Sequence, residues 1–378
     1  MRSVFSTIAW GVFCACSWTW CIGMYLPVIM VDRFGIPGFL VFAVPNVIGC
    51  AGFGYVLARR ARSGAMVQRH GAAMLAFSLV AVAYHMFFIT FLLGELFVEL
   101  TPRQEAFVPI AGAIVVLTAG MLLSLAGDRQ WLVIAAAVYV FSLIAFGIIG
   151  FGGWERIGMS GRLEPGRLVW LAPVVSIGFL LCPYLDLTFH RALRRSPSRH
   201  AFAVFGVTFA VMIVFTCFLW FSPRPALPWV GLAHIAAQTI FTVGAHLREV
   251  RVSAALGRPA VKVLLMFLPL IAVAAYPAAR AAADAMAGEE LYLRFLVCYG
   301  LVFPAYVLLF MGPWRPWRFS PRTLLAFAAV IVLLAPLYEL GFIGGTTWLL
   351  AVPVGGLVLW AVVRQLVPRR AAPSEEHG

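Results

Sequence analysis

Cys16-Ser17-Trp18-Thr19-Trp20-Cys21-Ile22-Gly23 is the stretch whose reading decides the fold. It sits inside an apolar run expected over 4–31. Its small and hydroxyl-bearing residues interrupt the aliphatic side chains at mid-depth, where a helix can unwind around a ligand. A second interruption, Ser176-Ile177-Gly178 followed by Cys182-Pro183-Tyr184, falls in the sixth apolar run. Standing five runs apart, the two interrupted segments would cross a membrane in opposite directions, as two five-helix repeats of opposite orientation require.

The composition around these stretches makes lipid the solvent. Of the 378 residues, 63% are hydrophobic and 11% charged, and the mean hydropathy is +0.96, well away from the balance of a soluble domain. Apolar runs about as long as a bilayer is thick are expected at 4–31, 37–58, 71–94, 106–126, 130–152, 168–189, 201–221, 227–247, 260–282, 290–311, 322–340 and 346–366. Backbone polar groups cannot stay unpaired in hydrocarbon, so runs of this length read as helices, whereas a barrel would show short alternating segments. The fold class expected is therefore all-α, a polytopic helical membrane protein of twelve transmembrane helices.

Charge orients the chain. The formal net charge is +13, but the basic residues lie in loop clusters rather than along one face, which argues against nucleic acid and for membrane topology. Alternate connections hold twenty basic residues, among them Arg59, Arg60, Arg62, Arg191, Arg194, Arg195, Arg248 and Arg251, against eight in the others. Both termini are thus expected in the cytoplasm. A missed or invented span would invert every later loop and spoil that asymmetry. Arginine dominates so far that Lys262 is the sole lysine, and the Ala- and Gly-rich composition suggests a GC-rich genome and a bacterial inner membrane. The seven cysteines fall in apolar runs and imply no disulfide framework. The first run is too long for a signal-peptide core and is expected to be retained. The tail at 368–378 reads as disordered.

With the two interrupted helices in place, the chain resembles secondary transporters of the LeuT-type fold, which include the amino acid–polyamine–organocation and sodium:solute symporter families. The resemblance is architectural. It rests on topology, break positions and short connections such as Gly127-Asp128-Arg129. It implies a first five-helix repeat over 1–155, a second inverted one over 156–312, and two additional helices over 313–367. It also implies a small-molecule solute held near mid-membrane, by Ser17, Trp18, Thr19, Trp20, His85, Ser176, Gly178 and His234. A coupling-ion site would draw on Ala15 and Trp18 carbonyls with Thr239 and Thr242 hydroxyls. The adjacent hydroxyl pair typical of the family's eighth helix is replaced here by Gln238-Thr239 and Thr242, which leaves sodium or a proton as the coupling ion. Half-helix N-termini in such a fold would favour an anionic group such as a carboxylate. No other cofactor, no metal centre and no nucleic acid partner is implied, and the lipids of the membrane are the remaining partner.

Several of these residues carry a plainer alternative. His85 and His234 serve either solute contact and proton relay or interhelical hydrogen bonds. Asp186 and His190, one turn apart, form either a cytoplasmic gate or an interfacial anchor. Trp18 and Trp20 stack on a solute or pack helices. Asn46, Ser142 and Tyr299 read as glue between helices, and Glu339 as an interfacial residue. No Walker loop, HExxH, CxxC or Gly-x-Ser-x-Gly motif is present, so an ATP-driven pump is not expected. The competing functions are an intramembrane transferase using His85 or His234 toward a lipid-linked substrate, and a non-transporting sensor or subunit of the same fold.

Overall fold

The computed structural model describes residues 2–96, 102–149, 157–221, 228–253, 259–282, 287–312 and 318–366. The expected tail at 368–378 lies outside them. Every regular element among them is helical. In chain order these are α1 (Arg2–Trp18), α2 (Cys21–Leu57), α3 (Arg60–Leu96), α4 (Pro102–Leu123), α5 (Asp128–Ile149), α6 (Leu168–Leu181), α7 (Leu187–Arg195), α8 (Ala201–Leu219), α9 (Pro228–Val252), α10 (Pro259–Ala282), α11 (Ala287–Val297), α12 (Phe303–Tyr306), α13 (Pro321–Tyr338) and α14 (Ala351–Leu366). Eight helices of the described chain are long and apolar enough to cross a membrane, as in an integral membrane protein. Four shorter apolar helices, Ser3–Trp18, Phe107–Leu123, Phe267–Ala278 and Thr347–Trp360, accompany them.

Two backbone features shape the N-terminal third. α2 is two helices joined at Gly35, whose φ of 66° and ψ of −154° only glycine adopts without strain. A Cβ there would also lie 2.7 Å from the Gly158 carbonyl oxygen. Upstream, the helix stops after Trp18 and resumes at Cys21, with Trp20 extended at φ −83°, ψ 169°. No proline forces this break. Instead, each of the four carbonyls that α1 leaves without an intrahelical partner finds a donor elsewhere. Ala15 O accepts both the N–H (3.0 Å) and the hydroxyl (2.7 Å) of Thr19. Cys16 O accepts the Thr242 hydroxyl at 3.1 Å. Ser17 O accepts the Trp20 indole N–H at 2.6 Å, and Trp18 O the Trp20 backbone N–H at 2.8 Å.

The sixth run is interrupted differently. α6 passes through Ser176-Ile177-Gly178 without a break, although the sequence marks these residues as a soft point. Gly178 serves packing there, since a Cβ would sit 2.8 Å from Tyr299 O on the neighbouring helix. The interruption falls at Cys182–Leu185, a 3-10 turn containing Pro183, and at Asp186, which is extended. Asp186 then starts α7 by accepting the Thr188 N–H on Oδ1 at 2.7 Å.

α1 packs on α8, α5 and α9, α2 on α8 and α6, and α3 on α10, α4, α9 and α7. The interrupted segments therefore sit inside a wall of long helices, and Ser17, Thr19, Asp186 and Thr188 are all buried.

Candidate functional site

Both breaks meet at one point. The Ser17 hydroxyl lies 3.2 Å from the Thr188 hydroxyl, and the Trp18 ring packs on Phe189 with centroids 4.9 Å apart. Beside this junction a cavity of about 50 Å³ is lined by Trp18, Trp20 and Gly23 from the first run, Gly178 and Cys182 from the sixth, and Tyr299 from the helix after α11. Tyr299 belongs to a π-helical turn, Cys298–Val302, a distortion often found at functional sites.

Trp20 is the centre of an aromatic box. Its ring lies 4.6 Å from Trp18, 5.2 Å from Phe77, 6.0 Å from His85, 5.0 Å from His246 and 5.4 Å from Tyr299. His85 spends both nitrogens locally. Nδ1 donates to Ala81 O at 2.6 Å and Nε2 accepts the Cys21 N–H at 3.1 Å. Since an acceptor nitrogen carries no proton, this pairing fixes the neutral Nδ1–H tautomer. The Tyr292 hydroxyl donates to Cys21 O at 3.1 Å. The Nε2 of His246 and the hydroxyl of Tyr299 are buried and have no hydrogen-bond partner among the described residues.

The other sequence-marked residues divide clearly. Trp18 donates its indole N–H to Asn46 Oδ1 at 2.8 Å. Thr19 folds its hydroxyl back on Ala15 O. Ser176 is half-buried in α6 and does not line the cavity. His234 stands apart from it, bonded to Ser142 Oγ at 2.9 Å and to Thr216 Oγ1 at 3.2 Å. Of the proposed ion ligands, Ala15 O, Trp18 O and Thr242 are engaged in the bonds of the first break, while the buried Thr239 hydroxyl has no partner among the described residues. No group of three or more His, Cys, Asp and Glu side chains in the described chain is placed to hold a metal ion.

Asp186 and His190 do not bond through their side chains. Asp186 caps α7 and leaves Oδ2 unpartnered, whereas His190 pairs with Ser63 Oγ (2.8 Å) and Tyr184 O (3.0 Å). The charged cluster at this end is built instead on Arg191, whose side chain is 3% exposed. Its guanidinium meets Asp128 at 2.6 Å and Glu249 at 3.5 Å. Arg248 reaches the same two carboxylates at 3.2 and 2.7 Å. The aromatic faces of Trp10, Phe13 and Trp131 surround the guanidinium at 5.2–5.6 Å. α1, α5, α7 and α9 are thereby clamped together.

The opposite end is closed by rings and a lighter ion pair. Tyr25 contacts Phe88, Phe91, Trp220 and Tyr292, at centroid distances of 5.1–6.1 Å. The Trp220 indole donates to Met24 O at 3.1 Å. Arg33 pairs with Glu289 at 2.7 Å, each about a quarter exposed. Asp32 pairs with Arg162.

Sequence reasoning did not single out His246, Glu249 or the cavity-lining role of Tyr338 and Phe342. His246 stands four residues after Thr242, a spacing that puts it beside a residue already marked. Comparison with protein-family models and with curated protein sequences finds no match for this chain.

Proposed function

We propose that this protein is a secondary transporter that moves a small solute by alternating access around its interrupted first and sixth helices. The observation that carries the reading is the meeting of the two breaks at Ser17 and Thr188, 3.2 Å apart, beside a shared cavity. Paired interrupted helices at mid-membrane are the usual setting of a transporter's solute site. Closure at both ends, by the Arg191 clamp on one side and the Tyr25 rings and Arg33–Glu289 pair on the other, suits an occluded intermediate between two open states.

The twelve-span, five-plus-five inverted reading belongs to this proposal. It takes Ser3–Trp18 with the part of α2 before Gly35 as one interrupted span, the part after Gly35 as a second, and the remaining apolar helices as ten more. Arginine-rich connections then face the cytoplasm, with both termini, in a bacterial inner membrane. Coupling would run through a proton or sodium ion. A non-transporting relative is the second reading, favoured by one observation: the Thr242 hydroxyl, one of the expected ion ligands, is spent on a direct hydrogen bond to Cys16 O. A transferase reading is less supported, because His85 and His234 each direct both ring nitrogens to protein partners.

The test is two-sided accessibility. Single cysteines replacing Thr19 and Thr188, in a background lacking the seven native cysteines, are exposed to membrane-impermeant thiol reagents in right-side-out and inside-out vesicles. Labelling of both positions from both sides supports alternating access. Labelling from neither side, or from one side only, removes the transport reading.

A further inference from the structure

We infer that the cavity takes an uncharged, largely apolar solute with one hydrogen-bonding group, an inference that rests on the transport reading and narrows its solute class.

The wall carries no charge. Ile22, Leu26, Val174, Val175, Leu296 and Phe342 make up much of it, and no Asp, Glu, Lys, Arg or His side chain among the described residues lines it. An ionised group entering this space would leave water without gaining a counter-charge, at a cost of several kcal/mol.

The helix end that would attract an anion is partly taken. The segment after the first break begins at Cys21, and its leading N–H points to His85 Nε2 at 3.1 Å. A carboxylate at a helix N-terminus needs free N–H donors and the positive end of the dipole. Here a neutral imidazole from α3 holds the first of them, and the Tyr292 hydroxyl holds the carbonyl of the same residue at 3.1 Å.

Several polar atoms of the wall are likewise engaged. Asn46 Oδ1 accepts the Trp18 indole, the Trp20 indole donates to Ser17 O, and the Tyr338 hydroxyl donates to Gly300 O. The Tyr299 hydroxyl has no partner in the described chain, and Tyr299 is 6% exposed. A buried hydroxyl left unpaired is unfavourable, and a solute supplying one donor or acceptor would relieve it. The rings of Trp18, Trp20, Phe179 and Phe342 border the same space, a surface suited to a flat apolar body. Tyr299 and Phe342 both lie in π-helical turns, Cys298–Val302 and Glu339–Ile343, so distorted backbone from two helices faces the site.

The experiment is calorimetric titration of the detergent-purified full-length chain with indole, its anionic relative indole-3-acetate and its cationic relative tryptamine. Indole is expected to bind, and both charged relatives to bind at least tenfold more weakly. Two variants locate the site. Gly23 lines the cavity, and a Cβ there would meet nothing nearer than 4.0 Å, so Gly23→Leu adds bulk to the wall from a position with room for a first carbon and is expected to abolish indole binding. Tyr299→Phe is expected to weaken indole by roughly 3- to 10-fold, the loss of one net hydrogen bond, and to leave toluene unchanged. Absence of indole binding, equal or tighter binding of either charged relative, or indole binding unaffected by Gly23→Leu would each overturn the inference. None of those results bears on two-sided labelling of the breaks, so the transport reading stands or falls separately.

Discussion

His85 on α3 accepts the backbone N–H of Cys21 through Nε2 at 3.1 Å, across 64 residues of sequence, and so closes the end of the helix that follows the first break. Its Nδ1 is committed to Ala81 O at 2.6 Å, which leaves Nε2 no role but acceptor. His85→Ala therefore strands a buried N–H, at a cost of about 1–3 kcal/mol. His85→Gln, which keeps an acceptor, is expected to recover part of the loss. Thermal unfolding of the purified variants in detergent gives the comparison, and equal melting of the Ala variant and the wild type would sink the assignment.

The Arg191 clamp should hold its end of the bundle shut, the end proposed above to face the cytoplasm. Arg191→Met leaves Asp128 and Glu249 with Arg248, and Asp128 also with Arg195 at 3.2 Å, as their remaining cations, and loss of one partner from a buried pair typically costs about 3–5 kcal/mol. Cys14, buried beneath it on α1, should then become reactive to maleimide in inside-out vesicles when the other six cysteines are replaced. Unchanged, slow labelling of Cys14 would show that the clamp does not close this end.

The Arg33–Glu289 pair is a weaker lock. Both side chains are about a quarter exposed, so Glu289→Gln is expected to cost no more than about 1 kcal/mol, with the difference shrinking as salt is added. Melting temperatures at low and high sodium chloride measure it.

Glycine substitutions should separate by what each Cβ meets. Gly178→Ala drives a methyl to 2.8 Å from Tyr299 O, and Gly35→Ala adds a clash at 2.7 Å to a forbidden backbone conformation. Both are expected to lose about 1–3 kcal/mol. Gly147→Ala meets nothing within 4 Å and should be neutral or gain up to about 1 kcal/mol from helix propensity. A Gly147→Ala loss as large as that of Gly178→Ala would refute the packing argument.

The two threonines of α9 give the final contrast. Thr242→Val removes a bond to Cys16 O and should destabilise by about 1 kcal/mol, while Thr239→Val removes a hydroxyl with no partner among the described residues and should not. Replacing choline with sodium in the melt adds a second reading. Stabilisation by sodium that disappears in Thr239→Val would make that hydroxyl an ion ligand.

The sequence made some of this legible and hid the rest for physical reasons. Small and hydroxyl residues around Ser17 and Thr19, and Pro183 in the sixth run, marked where helices stop, because local chemistry supplies the alternative partners for freed carbonyls. Ser176-Ile177-Gly178 looked similar yet stays helical, since a glycine chosen for close approach and one chosen for a break cannot be told apart from neighbours alone. His234 and His246 both lie on α9, but twelve residues turn a helix by about 120° beyond whole turns, so one faces Ser142 and the other the Trp20 box. Which of them meets the centre depends on the rotation of α9, a property of packing. The Arg191 clamp was hidden for the same reason: its carboxylates come from Asp128 and Glu249, on two other helices, and no spacing records that meeting.

The saturation of the carbonyls at the end of α1 has a mechanical consequence. An interruption whose every exposed acceptor is matched by a named donor has no slack, so α1 cannot swing there by gradual bending. Any movement of α1 there would require Thr242, Trp20 or Thr19 to trade its partner for another. Such a joint clicks between positions, with the barrier of each click set by bonds broken before new ones form, and the rate of any opening at this point should be activated and stepwise.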